Sequence, residues 1–285
     1  MFVVAGATGH VGSVVAGELL ARGAKVKVIV RDEAKGGAWS KRGAEVAIGS
    51  LDDKVFLAGA LKGAAGFFAL LPPNYVEPDF RGHQRRTADA VAAAVKSSGV
   101  PHVVLLSSVG AELAEKNGPI KGLHHLENAL RAAGTKLTAI RAGYFQENVA
   151  SSIAPARQQG VFFNLSASAD YPFPMTATRD VGRLAAQSLL SPPAKNEVVD
   201  LHGPAYSMRQ LAEKLGAALG KKLQLVDIPP SGHVAAMRQA GLPQQLSEEY
   251  AEMYAAFAAG IIRPDGDRFV AGTTTIDEVL PGLLR

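Results

Sequence analysis

The stretch "VVAGATGHVG", residues 3 to 12, decides how the chain is read. A β-branched apolar run stops at a glycine-rich turn, and a helical segment follows at once. Gly6, Gly9 and Gly12 then fall at a strand–helix junction, where each has its own job. One allows a tight reversal, one lets backbone approach a pyrophosphate, and one lets the helix pack closely on the strand. The first helical amides and the positive end of the helix dipole face the same phosphates. We therefore expect a nucleotide cradled by Gly6, Thr8, Gly9, His10, Val11 and Gly12, a merely tight turn being the alternative.

Outward from this turn, short apolar runs alternate with segments of helical period. Strands are expected at Phe2–Ala5, Lys25–Val30, Glu45–Ile48, Gly66–Leu71, His102–Ser107 and Lys136–Ala142. Helices are expected at Val11–Arg22, Glu33–Arg42, Lys54–Leu61, Phe80–Ser98 and Leu123–Ala133. The runs "FFALL" and "VVLL" are apolar throughout, as strands covered on both faces require. This alternation builds a parallel sheet with right-handed crossovers. The expected fold is α/β: a doubly wound Rossmann domain over residues 1–148, then a smaller α+β substrate-binding part over 149–285. The helix at 179–190 and the strand at 196–203 are expected to return to the first domain. In the second part, Ser207 and Gln210 make a capping box that opens a helix.

Composition narrows the function. The 285 residues are 47% hydrophobic and 20% charged, as in ordinary globular chains. The chain has no cysteine, which removes disulfides, thiolate metal sites and cysteine nucleophiles. The opening "MFVVAG" has neither a basic flank nor a cleavage site, and no apolar run nears the ~18 residues of a membrane span. Neither a signal peptide nor a membrane segment is expected, and the expected address is the cytoplasm. Thirty Lys and Arg against 26 acids give a net charge of +4, which suits an anionic cofactor. The densest basic cluster, "RGHQRR" at 81 to 86, opens a helix and is read as a solvated face, so nucleic acid is not expected.

The end of the second strand should read the adenosine ribose. An acid about 20 residues beyond the turn favours NAD, whereas Arg accommodates a 2′-phosphate. Here "VIVRDEAK" supplies Arg31 first, then Asp32, with Lys35 a helical turn on. The planar guanidinium suits phosphate, so NADP(H) is favoured over NAD(H). After the third strand, "GSLDD" brings Ser50, Leu51 and Asp52 to the same edge. Asp52 is placed to meet an adenine amino group or to cap the next helix.

The segments "GATGHVG", "VRD", "GSLDD", "SSVGA", "GLHHLENALRAAG", "IRAGYFQEN" and "RDVG" together resemble the NmrA-like branch of atypical short-chain dehydrogenases/reductases. That branch includes NADPH quinone oxidoreductases, isoflavone-reductase-like enzymes and redox-sensing regulators. The resemblance implies a Rossmann domain, a dinucleotide, and a substrate pocket roofed by the C-terminal part. It also implies that Leu71, Pro72 and Pro73 lie along the cofactor, with Tyr144, Phe145 and Asn148 by the nicotinamide and the substrate.

One departure matters most. Short-chain dehydrogenases of the usual kind carry Tyr-x-x-x-Lys, the Lys lowering the pKa of the proton-donating Tyr. None of the six tyrosines here has Lys four residues later. Ser107 and Ser108 stand where a catalytic Ser would and are expected to line the cofactor with Tyr144 and Phe145; they are equally explained as strand-end residues bonding backbone. No catalytic residue is assigned with certainty; His124, His125 and Glu127 are the remaining candidates for proton transfer. No metal site is expected, because adjacent histidines point to different faces of a helix. The first functional expectation is an NADPH-dependent oxidoreductase acting on a quinone or similar flat carbonyl acceptor, which needs little proton help. The second is a non-enzymatic NADP(H) sensor that signals to a protein partner.

Overall fold

The computed structural model describes residues 1–285. In its first half, strands β1 (Phe2–Val4), β2 (Val26–Val30), β3 (Glu45–Ile48), β4 (Gly66–Leu70), β5 (His102–Ser108) and β6 (Lys136–Ala142) alternate with five helices. These are α1 (His10–Ala21), α2 (Glu33–Ser40), α3 (Lys54–Leu61), α4 (Phe80–Ser98) and α5 (Lys121–Ala132). The expected positions hold to within one or two residues, as helix and strand ends fray.

The second half contains β7 (Tyr144–Phe145), α6 (Ile153–Gln159), β8 (Val161–Asn164), β9 (Phe173–Thr176) and α7 (Thr178–Leu190). Then come β10 (Glu197–His202), β11 (Ala205–Tyr206), α8 (Met208–Leu219), β12 (Gln224–Asp227), α9 (His233–Gln239), α10 (Gln244–Ala258), β13 (Arg268–Ala271) and α11 (Ile276–Leu283). The Ser207–Gln210 capping box opens α8. No helix is long and apolar enough to cross a membrane.

The main sheet has eight strands in the order β13-β10-β6-β5-β4-β1-β2-β3. All of its pairings are parallel. The chain runs outward from β1 to β3, then crosses β1 to begin again at β4. That reversal leaves a crevice between the carboxyl ends of β1 and β4, where doubly wound sheets take ligands. Beside this sheet lie β11-β9-β7 and the pair β12-β8.

Both faces of the sheet are sealed by apolar packing. On one, Val11, Val15 and Leu19 of α1 meet Val181, Ala185 and Leu189 of α7. On the other, Leu57 and Leu61 of α3, Val91 and Val95 of α4, and Leu126 and Leu130 of α5 cover Phe67, Leu105 and Leu137. Gly182 lets α7 cross α1, since a Cβ there would come 2.5 Å from the Cβ of Val14. Burying such side chains contributes about 1.5–3 kcal/mol each, which fixes the strand ends that build the crevice. A separate apolar cluster of Phe162, Met175, Leu211, Leu215 and Leu280 supports the C-terminal part.

The basic run at the start of α4 is engaged within the chain. Arg81 pairs with Glu249, and Arg86 Nη1 lies 3.2 Å from Asp79 Oδ2.

Candidate functional site

The glycine turn sits at the switch point of the sheet. Its reversal is closed by the Gly9 amide donating to the Gly6 carbonyl at 2.9 Å, and Gly6 holds φ at +64°, which favours glycine. A Cβ at Gly12 would collide with the carbonyl oxygens of Gly6 and Ala5, the latter at 2.7 Å, so α1 packs on β1 only as glycine allows. Gly9 is different. Its backbone is ordinarily extended, and a Cβ would meet only the Gly6 oxygen, at 3.4 Å. The chain's own packing does not require glycine there; a side chain would project into the open space in front of the turn.

What faces that space is a bare helix start. The first helical bond runs from the Ser13 amide to the Gly9 carbonyl at 3.1 Å, leaving the amides of His10, Val11 and Gly12 without an intrahelical acceptor. No side chain caps α1 and no acid lies in its first turn. The next three helices are each capped by an aspartate: Asp32 for α2, Asp53 for α3 and Asp79 for α4. An external anion fits the one left open, and Thr8 and His10 stand exposed at its rim.

At the end of β2, Asp32 Oδ1 accepts from the Ala34 amide at 2.9 Å. Arg31 and Lys35 are exposed and form neither a hydrogen bond nor an ion pair through their side chains. The free charge at this edge is therefore cationic, and it fits a phosphate on the ribose better than bare hydroxyls. Asp52 does not cap α3, as one reading of the sequence had it. Asp53 does, its Oδ1 accepting from Val55 and Phe56 amides at 3.0 Å each, because it stands one residue nearer the helix. Asp52 is exposed beside half-buried Ser50 and Leu51.

After β4, Leu71 and Pro72 are half-buried and Pro73 is exposed along the crevice. Gly122 of α5 lets Leu71 approach, since a Cβ there would sit 2.7 Å from Leu71 Cδ2.

Below the ends of β5 and β6 lies a buried charge network. Arg141 donates from Nε and Nη2 to the two oxygens of Glu127 at 3.1 and 2.9 Å, and from Nη1 to Glu112 at 3.0 Å. Arg131 reaches Glu127 Oε2 at 2.9 Å. Burial alone would raise the Glu127 carboxyl; the bonds and charge of Arg141, with Ser107 and Arg131, outweigh it and hold it below the usual carboxylate range. Ser107 donates to Glu127 Oε1 at 2.6 Å, so this serine bonds a side chain, not the backbone expected of it. Ser108 does bond backbone, donating to the Val109 carbonyl at 3.0 Å. Glu127, the most buried of the proton-transfer candidates, is thus an ionised, saturated acceptor.

The two histidines are also engaged. His124 donates from Nδ1 to the Ala111 carbonyl at 2.9 Å and accepts at Nε2 from Asn128 at 3.0 Å, so both nitrogens are occupied. His125 lies on another face, its Nε2 2.6 Å from Asp89 on α4. No group of three His, Asp or Glu side chains is arranged to hold a metal ion.

Beyond β6, Tyr144 meets Phe173 edge-on at 5.7 Å, and its phenol, with Asn148 beside it, is pushed up by burial. Phe145 packs against the core between sheet and α7. The rest of "GYFQEN" knits the chain together. Gln146 donates to the carbonyls of Met175 and Thr274 at 3.0 and 2.8 Å. Glu147 accepts from the Thr178 amide at 3.0 Å and its hydroxyl at 2.6 Å, covering the start of α7. Asp180 accepts from the Thr274 amide at 2.9 Å and its hydroxyl at 2.6 Å. These joints escaped sequence reasoning, since they have no period; two polar residues flanking a strand end were the only signal.

A parallel doubly wound sheet, with a glycine turn and an uncapped helix at its switch point, is the architecture of dinucleotide-binding α/β proteins. The chain belongs to the NmrA-like family, whose model matches residues 1–274. It is 28% identical over 270 residues to an NAD(P)H azoreductase of Xenophilus azovorans, covering 92% of this chain and 90% of that one. It is 27% identical over 255 residues to quinone oxidoreductase 2 of Escherichia coli, covering 88% and 86%. In structure it is similar to the triphenylmethane reductase of Citrobacter sp. complexed with NADP(H), with a TM-score of 0.82 at 21% identity over 99% of this chain and 100% of that one.

Proposed function

We propose that the chain is an NADPH-dependent oxidoreductase that reduces a quinone or similar conjugated carbonyl without a Tyr/Lys dyad. One observation carries the reading: α1 alone among the first four helices is left uncapped and unobstructed, beside an arginine that has no partner. Relatives named for NAD(P)H azoreduction and quinone reduction support the same chemistry.

The turn amides and the dipole of α1 bind the diphosphate, while Arg31 and Lys35 take the 2′-phosphate. When bound, the nicotinamide supplies a hydride. Leu71 and Pro72 keep that part of the crevice apolar, and Tyr144 with Asn148 borders the acceptor. The Glu127–Arg141 network keeps the ends of β5 and β6 in register, a positioning part and not a proton-donating one. A quinone suits such a site. Once it has taken a hydride, its oxygen anion collects a proton from water, so no side-chain acid is needed.

The test is steady-state loss of NADPH, and separately of NADH, against a panel of quinones. Turnover with NADPH preferred is expected. Tight cofactor binding with no turnover against any acceptor would replace the enzyme by a sensor.

A further inference from the structure

β4 ends at Leu70 and α4 begins at Phe80, so residues 71–79 carry the chain along the crevice without helix or strand. One backbone hydrogen bond lies within this segment, from the Glu77 amide to the Asn74 carbonyl at 3.3 Å. Pro73, Tyr75, Val76, Pro78 and Asp79 are exposed. Its charged side chains are tied to α4 itself, Arg86 lying 3.2 Å from Asp79 and 4.0 Å from Glu77. A segment with so few internal bonds and so little burial is placed by its two ends. One end is β4; the other is Phe80 and Arg81, at the start of α4.

That second end is held by α10, from the C-terminal part. Gln245 accepts from the Phe80 amide at 3.2 Å, and the Glu249 carboxylate pairs with Nε of Arg81. Lys121 Nζ lies 2.9 Å from Glu252 Oε1, and a Cβ at Gly118 would collide with the Glu249 carbonyl, so α10 also rests on the turn that opens α5. Its apolar support is small: Ala256 and Ile262 meet Val109, Ala111 and Ile120.

The Glu249 pair differs from the buried pair at Glu127. Glu127 accepts four bonds, one each from Ser107 and Arg131 and two from Arg141. Glu249, its side chain 4% exposed, pairs with one arginine that is itself 39% exposed, and its Oε2 has no partner. A carboxylate buried on a single contact stays buried only while that contact lasts. Moving α10 away hydrates both charges and frees the start of α4 together.

Resting on the reading that NADPH lies in this crevice, we propose that Arg81, Gln245 and Glu249 are positioning residues for the cofactor. Their clasp between α4 and α10 holds residues 71–79 against bound NADPH, and the cofactor leaves when the clasp opens. They act through Leu71 and Pro72, not on the reacting atoms.

The experiment measures how fast NADPH leaves: loaded protein is mixed with excess NADP+ and the nicotinamide fluorescence is followed. Wild type is compared with Gln245→Ala, Arg81→Met and the double variant Arg81→Met/Glu249→Gln. Arg81→Met keeps an aliphatic stem but strands the Glu249 carboxylate. Release should quicken about tenfold, the factor that loss of a hydrogen bond to a charged group brings. Adding Glu249→Gln replaces the stranded charge by a neutral amide, which costs far less to bury, so release should slow again towards wild type. Gln245→Ala should quicken release about fivefold, as loss of a neutral bond does. A wild-type rate in Arg81→Met would overturn the clasp, and so would a double variant as fast as Arg81→Met. Should Arg81→Met fail to fold, Gln245→Ala decides, an unchanged rate overturning the clasp. If wild type binds no NADPH, the crevice reading falls and amide exchange over residues 244–258 decides the clasp. Exchange should then be faster in Arg81→Met and slow again in the double variant; equal exchange in all three overturns it.

Discussion

Arg141 grips both oxygens of Glu127 at 2.9 and 3.1 Å, with 4% and 1% of the two side chains exposed. A buried pair of this kind contributes little beyond an apolar pair of the same size, but removing Glu127 leaves buried Arg141 with Glu112 as its one remaining carboxylate, at a cost of about 3 kcal/mol. Glu127→Ala should therefore lower the melting temperature sharply while activity per folded molecule stays within a few-fold. A large loss of kcat at unchanged stability would make Glu127 a participant in the chemistry.

The turn assignment predicts a clean separation of binding from folding. Gly9→Val introduces a side chain that the extended backbone tolerates and that points into open space. Its melting temperature without ligand should match wild type, and the upward shift caused by NADPH should vanish. A preserved shift would mean that nothing binds against this turn.

Cofactor choice should follow Arg31, which is free, and not Asp32, which caps α2. A charge-assisted contact to phosphate is worth about 1.5–3 kcal/mol. Arg31→Ala should weaken NADPH tenfold or more, since 1.4 kcal/mol is one decade, and leave NADH nearly alone. Equal losses for both would assign Arg31 a structural part.

Acid sensitivity should come from the far end of the sheet. His102 is buried at the start of β5; its Nε2 is 3.1 Å from the Thr138 hydroxyl and its Nδ1 has no partner. Burial, opposed by Glu197 and aided by Lys136, pushes its pKa from 6.5 down to about 4. The unfolded chain thus binds the proton more readily than the folded one between these values. Stability contributed by neutral His102 is full above pH 6.5 and falls as pH drops toward 4, by up to a decade in folding constant per unit. Glu127, held below its unfolded value of 4.5, adds a further loss at lower pH. Denaturant midpoints measured from pH 7 to 4 should flatten in His102→Phe; an identical slope in both proteins would contradict this.

The first six strands and five helices were readable because each carries its own period and its own glycine or aspartate punctuation. β13 was not. Its "RFVA", as long as the "EVAI" of β3, buries none of its side chains fully and is a strand through its pairing with β10. Asp52 and Asp53 show the same limit at one residue's range: both fit a cap, and only backbone geometry chooses Asp53. The glycine turn was legible because its chemistry is local.

The proposed reaction on this fold is hydride transfer from NADPH to a conjugated acceptor. Protein loaded with less than one equivalent of NADPH, then mixed rapidly with excess 1,4-naphthoquinone, tests it in a single turnover. Loss of the reduced-nicotinamide absorbance in one phase, with an amplitude equal to the bound NADPH, is expected. Absorbance that persists on the protein while the acceptor is present would contradict it.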